Sequence, residues 1–354
     1  MAVLGLASPA NGSELLAAVG DDCGFTFRKS QDLGTSPQTP WMNPIWTSTT
    51  DVGEYISLFL LILPILLIPL SCLRCLCCII GPLTREIHPP KKDYAGNEPD
   101  HVVRVGNSQG APQVAVSEDG GVTWSAHPGA DDTTNSGTLA YSADADTIVW
   151  SSGSAGVLRS QNQGAFAAVG SLPSGAIVAA DRRNNTVFYA ASGASFYRST
   201  DTGATFAKVA SAFGGNGSSK VTAVKAIAAH PVVAGEVWVA TDGGLFRSTD
   251  YGATFSAASG SIADAIKVSL GKGDGSAWNV YVFGTGPAGT KLYASADEGA
   301  TWVDIQGEQG FGSLSANRLV GSGNVAGQVY VGTNGRGVFY AQVSLSAAAA
   351  AAAN

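Results

Sequence analysis

The sequence predicts an all-β protein, a propeller of four-stranded blades. Three observations point there: an internal repeat at blade spacing, 45 glycines spread through the chain, and short β-branched and aromatic runs between turn residues. The repeat is Ser-x-Asp-x-Gly-x-Thr-aromatic, the Asp-box. It occurs at Ser117–Trp124, Ser199–Phe206, Ser248–Phe255 and Ser295–Trp302, with a worn copy at Ser160–Phe166. Successive serines stand 43, 39, 49 and 47 residues apart. Blade repeats of about 40–50 residues are usual.

The residues of the repeat explain themselves as a turn. Asp119, Asp201, Asp250 and Asp297 can accept hydrogen bonds from turn N–H groups. The glycine two positions on permits positive φ. The threonine and aromatic open the next strand and pack between blades. These four aspartates are therefore expected to be structural. Strand runs precede the boxes: Thr186–Ala191 leads to Ser195–Ser199, and Glu236–Thr241 to Gly244–Ser248. Gln328–Thr333 leads to Gly337–Tyr340. Six repeat units fit between Val102 and Val343, and residues ahead of the apolar segment are expected to help close the ring, because closure removes free sheet edges.

Composition divides the chain at 1–52, 53–92, 93–344 and 345–354. The last part is an alanine-rich tail too short to hold a helix alone. Only 13% of residues are charged and the net charge is −7, which argues against a nucleic-acid partner. Met1–Ala7 has no basic residue ahead of its apolar run and makes a poor signal peptide. Of five cysteines, Cys72, Cys75, Cys77 and Cys78 crowd together and only Cys23 stands elsewhere, so no disulfide framework is expected. They lack a second ligand pair at zinc spacing, and His101 and His230 have no partners at such spacing. No metal and no cofactor is expected.

Residues 56–73 carry no charge, which is long enough for a membrane span, although Pro64 and Pro69 interrupt it. A single span inside a soluble propeller makes poor physical sense, since both halves of the ring must lie on one side. Gly53–Lys92 has another explanation. Gly53-Glu54-Tyr55 can be encoded with a GTGAGT splice donor. The Leu, Ile, Phe, Ser, Pro and Cys codons are pyrimidine-rich, and Lys92 can end in an acceptor AG. The segment is either a translated intron or a membrane anchor beside palmitoylatable cysteines.

Four further stretches are more specific: Ala18–Phe25 with Gly20-Asp21-Asp22-Cys23-Gly24-Phe25, then Asp93–Pro99, Val102–Gly106 and Gly332–Tyr340. Together they resemble the C-terminal half of fungal family 74 glycoside hydrolases, the xyloglucanases, over nearly all of 1–52 and 93–343. The resemblance implies two seven-bladed propellers clasping a groove for a branched β-1,4-glucan, and inverting hydrolysis by one aspartate from each. It implies that Asp21 is the general acid and that the base belongs to an upstream propeller. Asp22 stands where the family usually carries an apolar residue. Read without the resemblance, Asp21 is a turn residue between glycines. Inversion needs one protonated carboxyl and one ionised carboxylate about 6.5–9.5 Å apart. Trp41 and Trp46 suit either sugar stacking or the core. Asn11, Asn184 and Asn216 head glycosylation sequons. The implied partner is xyloglucan and the implied location extracellular, or membrane if 53–92 is an anchor. A non-catalytic sortilin-type Asp-box propeller binding a peptide or glycan is the alternative; Gly20-Asp21-x-x-Gly24-Phe25 separates the two, because a receptor has no need of it.

Overall fold

The computed structural model describes residues 3–13, 15–19, 25–27, 91–106, 113–131, 134, 137–209, 213, 221–258, 261–307, 318–333 and 338–345. Among them seven antiparallel sheets follow one another in chain order, with no helix between Val3 and Gln342. The first has three strands: Val3–Ala7, Leu15–Val19 and Phe25–Phe27. The second runs Lys91–Tyr94, Val102–Val105, Val114–Ser117, Ser125–Ala126. The third runs Thr138–Tyr141, Thr147–Ser151, Val157–Gln161, Ala167–Ala168. The fourth runs Ile177–Ala180, Phe188–Ser192, Ser195–Ser199, Ala207–Lys208. The fifth runs Val224–Ala229, Val237–Thr241, Gly244–Ser248, Ser256–Ala257. The sixth runs Asp264–Lys272, Trp278–Gly286, Gly289–Ser295, Val303–Asp304. The seventh has Arg318–Gly321, Gln328–Gly332 and Val338–Gln342.

The first strands of consecutive sheets touch all the way round, and Arg318–Gly321 returns to Val3–Ala7. The molecule is a closed propeller. Six blades lie between residues 91 and 342, and the N-terminal sheet is the seventh. Asn324 fastens the closure: its Oδ1 accepts from Asn11 N at 2.8 Å, and its Nδ2 donates to Pro9 O at 2.9 Å. Gly323 N donates to Ser8 Oγ beside it.

Period-two alternation places the core between blades. Val237 and Val239 pack toward Tyr189 and Phe196 of the fourth sheet, while Trp238 and Ala240 pack toward Val268, Leu270 and Val280 of the sixth. Both faces of such a strand are covered, so Val237–Thr241 is buried throughout, like Gln328–Gly332 and Thr147–Ser151. The outermost two-residue strands are largely exposed.

Polar ties cross between blades. Asp93 Oδ2 accepts from Tyr141 N at 2.8 Å, and its Oδ1 pairs with Arg182 at 2.6 Å. Arg182 also donates to Tyr94 O and lies over the Tyr94 ring. Gly96 sits so close to this arginine that a Cβ there would fall 1.8 Å from Arg182 O, so no larger residue fits.

Lys91 and Lys92 pair with Val105 and Arg104, so the second sheet begins two residues inside 53–92. The remainder of that segment lies outside the described residues. Among the described residues no helix is long and apolar enough to cross a membrane.

Candidate functional site

Strand direction gives the ring two different faces. In each sheet the first strand starts, and the second ends, at one rim: Val3 pairs with Val19, Lys91 with Val105, Arg318 with Gly332. Each second-to-third-strand hairpin therefore opens on that rim. The Asp-boxes follow the third strands and lie on the opposite face.

On the box face the four repeats share one hydrogen-bond set. Ser199 Oγ donates to Asp201 Oδ1 at 2.7 Å and accepts from Gly203 N at 2.9 Å. Thr205 N and Thr205 Oγ1 donate to the two Asp201 oxygens at 2.9 and 2.6 Å. The same set recurs at Asp119, Asp250 and Asp297. Burial pushes these carboxyls up, but hydrogen bonds from threonine and serine outweigh it. All four end below the usual value, Asp250 at about 2. Held ionised and spent on their own turns, they are anchors. The worn copy has Asn162 in place of the aspartate; Ser160 Oγ bonds Gly164 O instead. A cavity of about 230 Å³ on this face, between the sixth and seventh sheets, is lined by Asp274, Asn279 and Asp297 among others. No cluster of three or more metal-ligating side chains occurs among the described residues.

At the opposite rim Leu15–Val19 ends, and Phe25–Phe27 resumes the sheet. Asp21, with Asp22 and Cys23, lies outside the described residues, as do Trp41, Trp46 and Asn216. Two aspartates hold described turns at this rim. Asp242 Oδ1 accepts from Thr222 N at 2.9 Å and Ala223 N at 3.1 Å, and its Oδ2 accepts from Thr222 Oγ1. Asp304 pairs with Lys291 at 2.8 Å and accepts from Gln306 N and Gly307 N. In both, burial raises the carboxyl and hydrogen bonds from Thr222 or Lys291 bring it below its ordinary value. A general acid needs the reverse, a carboxyl held up near the working pH. Neither aspartate is suited to that role.

Sequence reasoning passed over three cations on the innermost strands at this rim. Lys225 is paired with Asp264. Lys267 and Arg318 belong to neighbouring sheets; burial lowers both, and Arg318 lowers Lys267 further. A charged residue inside a strand run reads as an outward position, and only the packing of consecutive sheets brings their first strands together.

A closed propeller with structural box turns on one face and the second-to-third-strand hairpins on the other is a scaffold class. The comparisons narrow it. No protein-family model matches the chain. It is 49% identical over 337 residues to a xyloglucanase of Hypocrea jecorina (strain QM6a), covering 95% of this chain and 35% of that one. It is 31% identical over 349 residues to a xyloglucanase of Acetivibrio thermocellus, covering 96% and 35%. Among solved structures, the GH74 xyloglucanase from Xanthomonas campestris matches with a TM-score of 0.71 at 26% identity, over 96% of this chain and 43% of that chain. A GH74 enzyme from Niastella koreensis matches with a TM-score of 0.66 at 25% identity, over the same shares. The chain is a homologue of part of the family 74 glycoside hydrolases, and it spans about a third of the length of the curated relatives it matches.

Proposed function

We propose that the chain is the acid-bearing propeller of an extracellular two-propeller xyloglucanase. In this reading it acts on the β-1,4-glucan backbone of xyloglucan with inversion. The observation that carries it is the 49% identity to a xyloglucanase over 95% of the chain. Asp21 is the general acid in this reading, and it protonates the leaving glycosidic oxygen. The base, which activates water on the opposite face of the sugar, belongs to a second propeller upstream. Coverage of only 35% of the curated relative supports a larger whole. Trp41 and Trp46 are proposed as stacking platforms for glucan rings. The aspartates at 119, 201, 250 and 297 take no part in the chemistry.

We further propose that 53–92 is an insertion foreign to the propeller, a translated intron. Five junctions between the third strand of one sheet and the first strand of the next contain 15 to 24 residues, whereas 63 separate Phe27 from Lys91. The excess matches the forty residues of Gly53–Lys92. Removing them restores an ordinary junction and brings Val52 to the strand position of Lys92.

The test joins the upstream coding region to this chain without 53–92 and follows xyloglucan digestion by reducing-end release, with NMR of the first-formed anomer. Release of the inverted anomer is expected. Retention of configuration, or no hydrolysis by a folded enzyme, sinks the reading.

A further inference from the structure

We infer that Asn184 is an N-glycosylation site, and that its glycan stands on the Asp-box face, away from the substrate rim. The inference rests on the extracellular reading above.

Asn184 lies in the hairpin joining Ile177–Ala180 to Phe188–Ser192, on the box face. Asp181 is buried beneath it, and Asp181 Oδ1 accepts from Arg183 N and Asn184 N, both at 2.9 Å. Asn184 Oδ1 in turn accepts from Thr186 N at 3.0 Å and Thr186 Oγ1 at 2.8 Å. The Asn-x-Thr tripeptide is thus folded on itself, with its hydroxyl on its own asparagine. These two bonds are local to the tripeptide and use no residue of another blade. A planar amide whose oxygen turns back onto Thr186 presents its nitrogen the other way. That nitrogen makes no hydrogen bond among the described residues, and Arg183, Asn185 and Thr186 around it are exposed.

The reaction is a glycosyl transfer from a polyprenyl-pyrophosphate-linked oligosaccharide. Asn184 Nδ2 forms a C–N bond to the anomeric carbon of the reducing-end sugar. The bond from that carbon to the pyrophosphate oxygen breaks, the lipid pyrophosphate leaves with the electron pair, and one amide proton is lost to base.

The sequon at Asn11 is built differently. Asn11 has φ of 65° and its backbone N is bonded to Asn324, while Ser13 Oγ donates to Gly120 O of the second sheet. Its hydroxyl serves the packing of two blades and not its own asparagine. Asn184 is therefore the favoured acceptor of these two.

The full chain is fused to a cleavable secretion leader and expressed in a filamentous fungus. Peptide mapping after enzymatic deglycosylation in ¹⁸O-water reads Asn-to-Asp conversion at Asn184, compared with Asn11. Majority occupancy at Asn184, release of the glycan from undenatured protein, and a one-glycan mass loss in N184Q are expected. An unmodified Asn184 in chain that has passed through the secretory pathway overturns the proposal, as does occupancy confined to Asn11. Xyloglucan hydrolysis by the two-propeller enzyme is measured separately with N184Q, and a rate within two-fold of the parent is expected. Absence of activity in both proteins, with the glycan present on Asn184 of the parent, counts against the hydrolase reading and leaves the glycan assignment standing.

Discussion

Each box aspartate meets a carboxyl's need for donors and a turn's need for acceptors at once. The sign of the resulting pH effect follows from the lowered folded-state value. Stability from Asp250 is fully present above the unfolded-state value near 4 and is lost as pH falls through about 2. Asp250→Asn is expected to cost about 1–2 kcal/mol at neutral pH, allowing for solvent screening, and to flatten the acid limb between these values. Urea unfolding at several pH values reads both effects; a parallel offset at every pH would contradict the account. The turn also holds strain that the repeat pattern conceals. The residue before the box glycine is left-handed too, with φ of 60° at Thr202 and Tyr251 and 56° at Glu298, where the first box has Gly120 at 71°. A β-branched residue is a poor occupant of that region. Thr202→Gly is expected to stabilise the chain by about 1 kcal/mol, seen as a raised urea midpoint.

At the scale of strands and hairpins, much was legible and the reasons are local. Val237–Thr241 and Gln328–Gly332 announce themselves by β-branched and aromatic residues between turns. The ties between hairpins were not legible. Asp93, Arg182 and Tyr141 are far apart in sequence, and nothing local marks Arg182 as the residue that spans two hairpins. Asn324 reads as a turn residue like any other, yet its amide joins the last sheet to the first. Asn324→Ala removes those bonds and is expected to destabilise the ring by about 1–3 kcal/mol. Hydrogen exchange should then rise first in Val3–Ala7 and Arg318–Gly321; a uniform rise would place closure elsewhere. The insertion is tested at the same scale. If 53–92 is an intron, cDNA across Asp51 to Tyr94 is about 120 nucleotides shorter than the gene, the length of its forty codons. Chain lacking it should be more soluble, since an apolar run of that length with no place in the blade packing favours association. Recovery of peptides from Ile56–Leu73 in mature protein would falsify the intron.

For the whole molecule, the ring was readable because a repeat at blade spacing admits few closed architectures, and the family relation was readable from short motifs such as Gly20–Phe25. The rim was not, because Lys225, Lys267 and Arg318 sit on three successive sheets whose first strands meet only when the blades pack. The candidate acid rests on a motif, for composition alone makes Asp21 a turn residue. Activity of the whole enzyme decides its role. The chain alone is expected to hydrolyse xyloglucan negligibly, because it holds one carboxyl of the proposed pair and one wall of the proposed cleft. A single general acid or base contributes about 10²- to 10⁴-fold, and losing half of a cleft also removes the contacts that orient substrate. In the two-propeller enzyme, Asp21→Asn keeps the shape of the side chain but has no acidic proton to give. It should lower kcat by at least about 10²-fold. An activated leaving group needs little protonation, so an aryl glycoside should be cleaved with much less loss. That split between substrates is the signature of an acid and would not arise from misfolding. Asp22→Asn is the control for register. Should Asp22→Asn be dead and Asp21→Asn remain within a few-fold of the parent, the acid is the neighbouring residue. Should neither substitution matter, the motif does not carry the chemistry.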